Sequence, residues 1–160
     1  MCGIVGYIGD KSAADIILEG LKKLEYRGYD SAGVAVLGAE GLQVRRAAGR
    51  LKGLESLVRE RPVAGSIGVG HTRWASHGLP TDENAHPHTD GSGNLVVVHN
   101  GIIENYLPIK QRLLAEGHVF TSETDTEVIA HLIERHLQDT PRLDEATRRA
   151  LRELRGSYAI

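Results

Sequence analysis

Hydrophobic and polar positions along the chain follow two periods, which predict a mixture of strands and helices. The first apolar run, CGIVGYI, closes at a Gly-Asp pair and predicts a strand. Apolar residues then recur at helical spacing after Ser12, which with Asp15 three residues later favours a helix start. The segments AGVAVL and LQVRRA flank residues 40–41 and predict a hairpin, and a short helix ending at Pro62 follows.

The second part of the chain repeats both patterns. Two strands, SIGVGHT and NLVVVHN, are separated by a polar loop, 73–93, whose length is typical of a functional segment. Three helical stripes follow, and residues 124–127, TDTE, precede the second of them as a capping box. The last residues, SYAI, begin another strand. We expect the chain to be the leading part of a longer protein; alternatively, residues 157–160 form a short edge strand.

Composition and net charge exclude several classes of protein. The 160 residues suit one domain or a piece of a larger one, and the net charge of -2 leaves no electrostatic footprint for nucleic acid. A single cysteine excludes a disulfide framework, and neither a membrane-spanning run nor a signal peptide is present. These absences point to the cytoplasm. Nineteen glycines with only 4% aromatic residues predict tight turns and close backbone approaches.

Cys2 draws attention through its position. Removal of Met1, which a small second residue allows, would give one residue both a thiol and an α-amine. The two groups titrate at about 8.5 and about 7.7–8.0, so the amine can take the thiol proton as in an N-terminal nucleophile. The alternative is a small buried cysteine at the start of a strand.

The histidines raise a second hypothesis, a zinc-dependent hydrolase. Five of them fall in or beside the long loop: His71, His77, His86, His88 and His99. Zinc needs three or four converging ligands, and none of the spacings matches a known zinc motif, so solvated or hydrogen-bonded loop histidines are favoured. We therefore expect no metal and no cofactor. A serine hydrolase is disfavoured because G-x-S-x-G does not occur.

Three further positions could bind or stabilise a substrate. Arg73 ends an apolar strand at the mouth of the loop, where it could hold a carboxylate or form a surface salt bridge. Asn100 and Gly101 could form a hairpin turn or supply two donors to an oxyanion. Asp125 could favour the helix N-terminus or meet an ammonium group.

Six motifs together resemble a known family, the class II glutamine amidotransferases, over essentially the whole chain. In order they are MCGIVGYIG, LEYRGYDSAG, GHTRWASHG, NAHPH, VVVHNGIIENY and SETDTEVIAH. The strings YRGYDSAG, HTRWASHG and SETDTEV are most similar to the glutaminase domains of the hexosamine-forming branch, the glucosamine-6-phosphate synthases. The glutaminase domain of another class II member remains an alternative.

The resemblance implies a role for each matching residue. Cys2 corresponds to the nucleophile that attacks the amide of L-glutamine, and Asn100 with Gly101 to the oxyanion hole. Arg73 corresponds to the residue that binds the α-carboxylate of glutamine, and Asp125 to the one that binds its α-ammonium. The implied reaction forms a γ-glutamyl thioester and releases ammonia.

A second set of residues corresponds to segments around the substrate. Trp74, Ser76 and His77 match the segment that closes over glutamine, and Arg27 matches a residue near the nucleophile. The family commonly has Thr where this chain has Ser76, which keeps the hydroxyl.

The resemblance also implies a fold and partners. The expected fold is α+β, the four-layer αββα sandwich of N-terminal nucleophile hydrolases, C-terminally incomplete, with residues 1–160 as a partial glutaminase domain. The isomerase domains that bind fructose 6-phosphate are absent, so that sugar is a partner only of the full-length enzyme, which we expect to be a homodimer. A glutamine-binding but inactive fragment is the remaining alternative.

Overall fold

The computed structural model describes residues 2–160, which divide into two compact units between Pro87 and His88. The first unit contains β1 (Gly3–Ile8), α1 (Ala13–Leu24), a 3-10 turn (Glu25–Arg27), β2 (Ser31–Gly38), β3 (Gly41–Ala48), α2 (Leu51–Glu60) and β4 (Ile67–Arg73). The second contains β5 (His88–Thr89), β6 (Val96–Val97), β7 (Asn100–Gly101), α3 (Tyr106–Ala115), α4 (Glu127–Leu137), α5 (Leu143–Glu153) and β8 (Tyr158–Ala159). No helix within residues 2–160 combines the length and apolar character needed to cross a membrane.

An antiparallel sheet of order β1-β4-β2-β3 forms the centre of the first unit. The predicted hairpin is confirmed as β2 and β3, which meet at Gly41 with a φ of +87°. Gly3 pairs with Thr72, so the register of β1 on β4 brings Cys2 to the end of β4. Ser31 pairs with Arg73, which places the start of β2 at the same end of the sheet.

One helical layer packs on this sheet. Ser12 caps α1 as predicted, since its hydroxyl accepts the Asp15 N–H at 3.5 Å. Ile17 lies so close to β4 that a Cβ on Gly70 would stand 2.3 Å from its Cγ2, which confirms the expected close backbone approaches. The core cluster of this unit is formed by the buried apolar residues Ala13, Ala14, Ile17, Leu21, Ala32, Val34, Val36, Leu51, Leu54 and Val63.

Three helices and two small ladders form the second unit. Its core is built from α3, α4 and α5 with the strand at Val97, and its buried apolar members are Val97, Ile103, Ile109, Leu113, Val128, Ile129, Ala130, Leu132, Ile133, Ala146, Ala150 and Leu154. The three predicted helices are confirmed. The helices α3 and α5 each bury two residues four apart, Ile109 with Leu113 and Ala146 with Ala150, as helical spacing predicts. The helix α4 is buried at every position from 127 to 133.

Two predictions for this unit are wrong in detail. NLVVVHN is not one strand: β6 pairs with β5, whereas β7 pairs with β8, so the ladder is interrupted where the partner changes. The residues 124–127 form no capping box either, since α4 begins at Glu127 and Thr126 stands at its N-cap without a side-chain cap. The Glu127 side chain instead binds the segment before the helix.

Candidate active site

The candidate residues fall into two groups, one in each unit. Cys2, Arg73, Trp74, Ser76 and His77 belong to the first unit, and Asn100, Gly101 and Asp125 to the second. Arg27, which closes the 3-10 turn, is partly buried in the first unit. Met1 and its removal lie outside the described residues.

The thiol of Cys2 lies against the backbone of Trp74. The Trp74 N–H donates to Cys2 Sγ at 3.2 Å, and the Trp74 carbonyl oxygen lies 3.5 Å from the same sulfur. This contact follows from the sheet register, because β1 and β4 run side by side up to Gly3 and Thr72. The partly buried sulfur is thus held at the point where the long loop leaves the sheet.

Asp30 fixes the backbone on both sides of Trp74, and sequence reasoning missed it. Its own N–H donates to the Arg73 carbonyl at 3.0 Å, and its Oδ2 accepts the Ala75 N–H at 2.8 Å. A Cβ on Gly28 would stand 2.8 Å from the Arg73 carbonyl carbon, so only glycine allows this segment to approach so closely. The segment YRGYDSAG therefore shapes the backbone that contacts the Cys2 thiol.

Arg73 is buried, with only 3% of its surface exposed. The alternative of a surface salt bridge is therefore wrong, because Arg73 does not lie at the surface. The guanidinium donates to the carbonyl oxygens of His77, Gly78 and Leu79, the last at 3.3 Å. The first turn of the long loop therefore wraps around the Arg73 guanidinium. A guanidinium can also donate two parallel hydrogen bonds to a carboxylate.

The rest of this loop carries the residues expected to close over a substrate. Trp74 is 48% exposed, and its ring meets that of Tyr29 edge to face at a centroid distance of 5.4 Å. Ser76 Oγ lies 3.3 Å from His77 Nδ1. Asn84, buried in the NAHPH motif, donates to the Leu79 carbonyl at 3.0 Å and so holds the far side of the loop.

Asn100 and Gly101 lie in β7 rather than in a turn, so the hairpin-turn alternative is wrong. Asn100 pairs with Ala159 and Gly101 with Tyr158. Gly101 has a φ of +131°, and a Cβ there would stand 2.3 Å from the Ser157 carbonyl oxygen. The position therefore requires glycine, and β8 determines the direction of the Asn-Gly backbone.

Asp125 is buried and contacts the segment that follows β7. Its Oδ2 accepts the Ile103 N–H at 2.8 Å, and 3% of its surface is exposed. This bond brings a carboxylate to within two residues of Gly101 in the chain. Asp125 lies before the start of α4 at Glu127. Its carboxylate therefore binds the backbone that follows β7 rather than the first turn of α4.

Glu127 and His131 support the segment that carries Asp125. The Glu127 carboxylate accepts the N–H groups of Thr121 at 2.8 Å and Ser122 at 2.7 Å, and lies 3.6 Å from His131 Nε2. Burial raises the pKa of Glu127, but the hydrogen bonds from His131, Ser122 and Thr121 outweigh it and lower the pKa to about 2. Burial lowers the pKa of His131, yet Glu127 and Glu134 beside it raise the pKa overall. The charged Glu127 thus anchors residues 121–126.

Most of the five loop histidines are buried rather than solvated. The His71 and His86 rings stack at 4.1 Å, His88 Nε2 lies 3.0 Å from Thr124 Oγ1, and His99 Nδ1 lies 2.8 Å from Thr126 Oγ1. Hydrogen bonds within the fold thus hold His88 and His99, and ring stacking pairs His71 with His86. In the part of the chain that the structure describes, the group of potential metal ligands is elsewhere, at residues 118–134.

Residues 71–160 match a family model described as a glutamine amidotransferase domain. The chain therefore belongs to the glutamine amidotransferases, and to their class II, as its motifs indicate. Two relatives bear the same name, glutamine–fructose-6-phosphate aminotransferase (isomerizing). The protein of Pyrococcus horikoshii is 56% identical over 160 residues, which cover 100% of this chain and 27% of the relative. That of Thermus thermophilus is 56% identical over 162 residues, covering 100% of this chain and 26% of the relative.

Two solved structures share the fold. Glutamine phosphoribosylpyrophosphate amidotransferase from B. subtilis, in complex with ADP and GMP, is 30% identical with a TM-score of 0.84, covering 99% of this chain and 34% of that one. A structure described as the allosteric regulatory enzyme of purine biosynthesis is 31% identical with a TM-score of 0.85, over the same shares. They confirm the predicted fold class, that of the N-terminal nucleophile hydrolases. The chain spans about a quarter of the length of the curated relatives it matches.

Proposed function

We propose that this chain hydrolyses the side-chain amide of L-glutamine through a thioester on Cys2. The observation that carries the proposal is the Cys2 thiol, held by the Trp74 N–H at 3.2 Å beside the buried Arg73. A thiol is a strong nucleophile for acyl transfer, and a buried guanidinium is suited to an amino acid carboxylate. Membership of the glutamine amidotransferases supports the same substrate.

The reaction needs one nucleophile, one base and an oxyanion site. Once Met1 is removed, the α-amine of Cys2 takes the thiol proton, and the thiolate attacks the amide carbon of glutamine. Asn100 and Gly101 donate to the oxygen that becomes negative. The C–N bond then breaks, and the protonated amine returns the proton to the departing nitrogen, which leaves as ammonia. Water attacks the thioester with the amine as base, which yields glutamate and restores the thiol.

Recognition of a zwitterionic amino acid needs separate charges of opposite sign. Arg73 binds the α-carboxylate of glutamine in place of loop carbonyls, because a carboxylate is the stronger acceptor for a guanidinium. Asp125 binds the α-ammonium with the carboxylate that also holds Ile103. Trp74, Ser76 and His77 cover the bound glutamine as the loop closes.

The ammonia is used, in a protein of the relatives' length, to convert fructose 6-phosphate into glucosamine 6-phosphate in the cytoplasm. That activity fits the name and the 56% identity of the relatives, of which this chain covers 27% or less. We expect the longer protein to act as a homodimer, without nucleic acid. The alternatives are a chain that binds glutamine without turnover, and the glutaminase domain of a different class II amidotransferase.

Glutamate release and calorimetric titration with glutamine separate hydrolysis from binding without turnover. Arg73→Lys keeps the charge but loses the fork, and Asp125→Asn loses the anion, so both should raise the glutamine KM by tenfold or more. The control Arg112→Lys, at an exposed ion pair with Glu153, should leave KM unchanged. Binding without glutamate release would favour the inactive fragment. Unchanged glutamine affinity in both site variants would overturn the proposed recognition.

A further inference from the structure

A cluster of metal-ligating side chains in the second unit has no part in the proposed glutamine chemistry. We name it the His-Glu cluster, formed by His118, His131 and Glu134. Glu134 Oε2 lies 3.0 Å from His118 Nδ1 and 3.1 Å from His131 Nδ1. His131 and Glu134 stand three residues apart on α4 and so share one face of the helix, while His118 comes from the segment after α3.

The spacing of these three atoms suits a small divalent ion. One ligand atom of each of the three residues lies within 4.8 Å of those of the other two. A tetrahedral zinc ion with bonds of about 2.0–2.2 Å separates its ligands by roughly 3.3 Å. The distances of 3.0 and 3.1 Å from Glu134 Oε2 to the two ring nitrogens are therefore within a few tenths of an ångström of those in a zinc site. Two imidazoles and one carboxylate are also a ligand set that zinc commonly takes.

The groups around the cluster orient its side chains as neighbouring groups orient the ligands of a bound metal ion. Metal-binding histidines usually direct their other ring nitrogen at a carboxylate, and His131 Nε2 lies 3.6 Å from Glu127 Oε1. The Gly91 N–H donates to Glu134 Oε2 at 3.3 Å, which holds the third ligand in place. The Phe120 ring, 4.5 Å from that of His131, forms an apolar wall.

Charge and access favour a cation as well. With neutral imidazoles, Glu127 and Glu134 leave two negative charges around His131, which is itself only 1% exposed. A divalent ion would balance both negative charges, whereas a proton on His131 would balance only one of them. The side chains of His118 and Glu134 are 11% and 22% exposed, so an ion and a water ligand can reach the cluster from solvent.

We propose that the His-Glu cluster binds one Zn²⁺ ion, with water as the fourth ligand, and that this ion fastens the segment at His118 to α4. The cluster uses none of the proposed glutaminase residues, although His131 also lies beside Glu127, which anchors the segment that carries Asp125. Its role is structural, because it ties two parts of the second unit together.

Calorimetric titration with Zn²⁺ tests the site in Cys2→Ser protein, since the thiol and α-amine of Cys2 could chelate zinc themselves. One ion should bind per chain, and His118→Ala or Glu134→Gln should each weaken binding at least tenfold. The matched control His136→Gln, also on α4 but paired with Glu153, should bind zinc normally. A melting temperature that rises with zinc in the Cys2→Ser protein, and less in the two cluster variants, is expected as well.

A second measurement needs no cluster variant. Co²⁺ in place of Zn²⁺ should give the intense visible absorption of a four-coordinate ion with nitrogen and oxygen ligands, and stoichiometric Zn²⁺ should remove it. Absence of zinc binding in the Cys2→Ser protein would overturn the proposal. So would a dissociation constant that stays the same in both cluster variants, or a cobalt spectrum typical of octahedral coordination by water.

Discussion

Replacing Gly101 by alanine tests the backbone geometry on which the oxyanion site depends. Gly101 has a φ of +131°, and the new Cβ would stand 2.3 Å from the Ser157 carbonyl oxygen and 2.8 Å from the Tyr158 Cα. The backbone conformation costs a residue with a side chain about 1–3 kcal/mol. The clash is with backbone, which has no rotamer to adopt, and overpacking of this kind typically costs about 1–3 kcal/mol more.

We therefore expect Gly101→Ala to lower the free energy of unfolding by about 2–6 kcal/mol, a large part of the roughly 5–15 kcal/mol of a typical domain. The clash also displaces the Gly101 N–H, so we expect kcat for glutamine hydrolysis to fall as well. Urea unfolding at 25 °C measures the first effect.

Gly93→Ala is the matched control for this prediction. Gly93 also has a positive φ, +73°, but a Cβ there meets nothing within 4 Å. It should cost only the conformational strain of about 1–2 kcal/mol. If Gly101→Ala destabilises the protein no more than Gly93→Ala does, the close approach of β7 and β8 is refuted.

Two further predictions concern charge. Asn100→Asp removes a proposed oxyanion donor, so kcat should fall by about 10²–10³ with little change in glutamine affinity, and a fall below about fivefold would contradict the role. Glu153 is buried enough to raise its pKa, but its bonds to Arg112 at 2.5 Å and His136 at 2.7 Å lower the pKa overall. A lowered folded pKa means stability that is present above the unfolded value of about 4.3 and lost as pH falls through the folded one. Glu153→Gln should thus destabilise at pH 7, with the difference shrinking below about pH 4. Glu19→Gln, at an ion pair whose Glu side chain is 68% exposed, should change stability little, and equal curves for both variants would refute the assignment.

Local patterns in the sequence predicted much of the fold, because they reflect local physics. The Ser12 cap, the hairpin that turns at Gly41 and the helices ahead of Pro62 and Gly156 each depend on residues close together in the chain. The spacing of apolar residues along a helix is enough to predict which stripe of the helix is buried. Cys2 and Arg73 were also singled out by position and residue type, and the roles proposed for them come from the resemblance.

The errors came where a distant part of the chain determines the local structure. NLVVVHN reads as one strand, but its last residue, Asn100, pairs with β8, some 60 residues away in the sequence. The same partner makes Asn100-Gly101 part of a strand rather than a hairpin turn. Asp30 was missed because its importance rests on the register of β2 against β4. The Ser31–Arg73 pairing, had it been inferred, would have placed Asp30 beside Trp74.

The capping box failed for a related reason. Glu127 fits the capping-box pattern, but its carboxylate accepts the N–H groups of Thr121 and Ser122 and lies beside His131, one turn along α4. Polar residues that can satisfy several partners do not reveal from spacing which partner they take. Hydrogen bonding was expected for the loop histidines and is found for His88 and His99, but their burial was not predicted, since polar loop composition says little about burial.

The most direct test of the central claim is glutamine turnover by Cys2→Ala protein beside the wild type. Loss of the nucleophile should lower kcat by several powers of ten, because no thioester can form. The urea midpoint should change little, since the thiol is only partly buried and contacts the backbone of Trp74. Intact-mass measurement of the wild type should show that the active protein lacks Met1. Turnover by Cys2→Ala at a rate near that of the wild type would contradict the account.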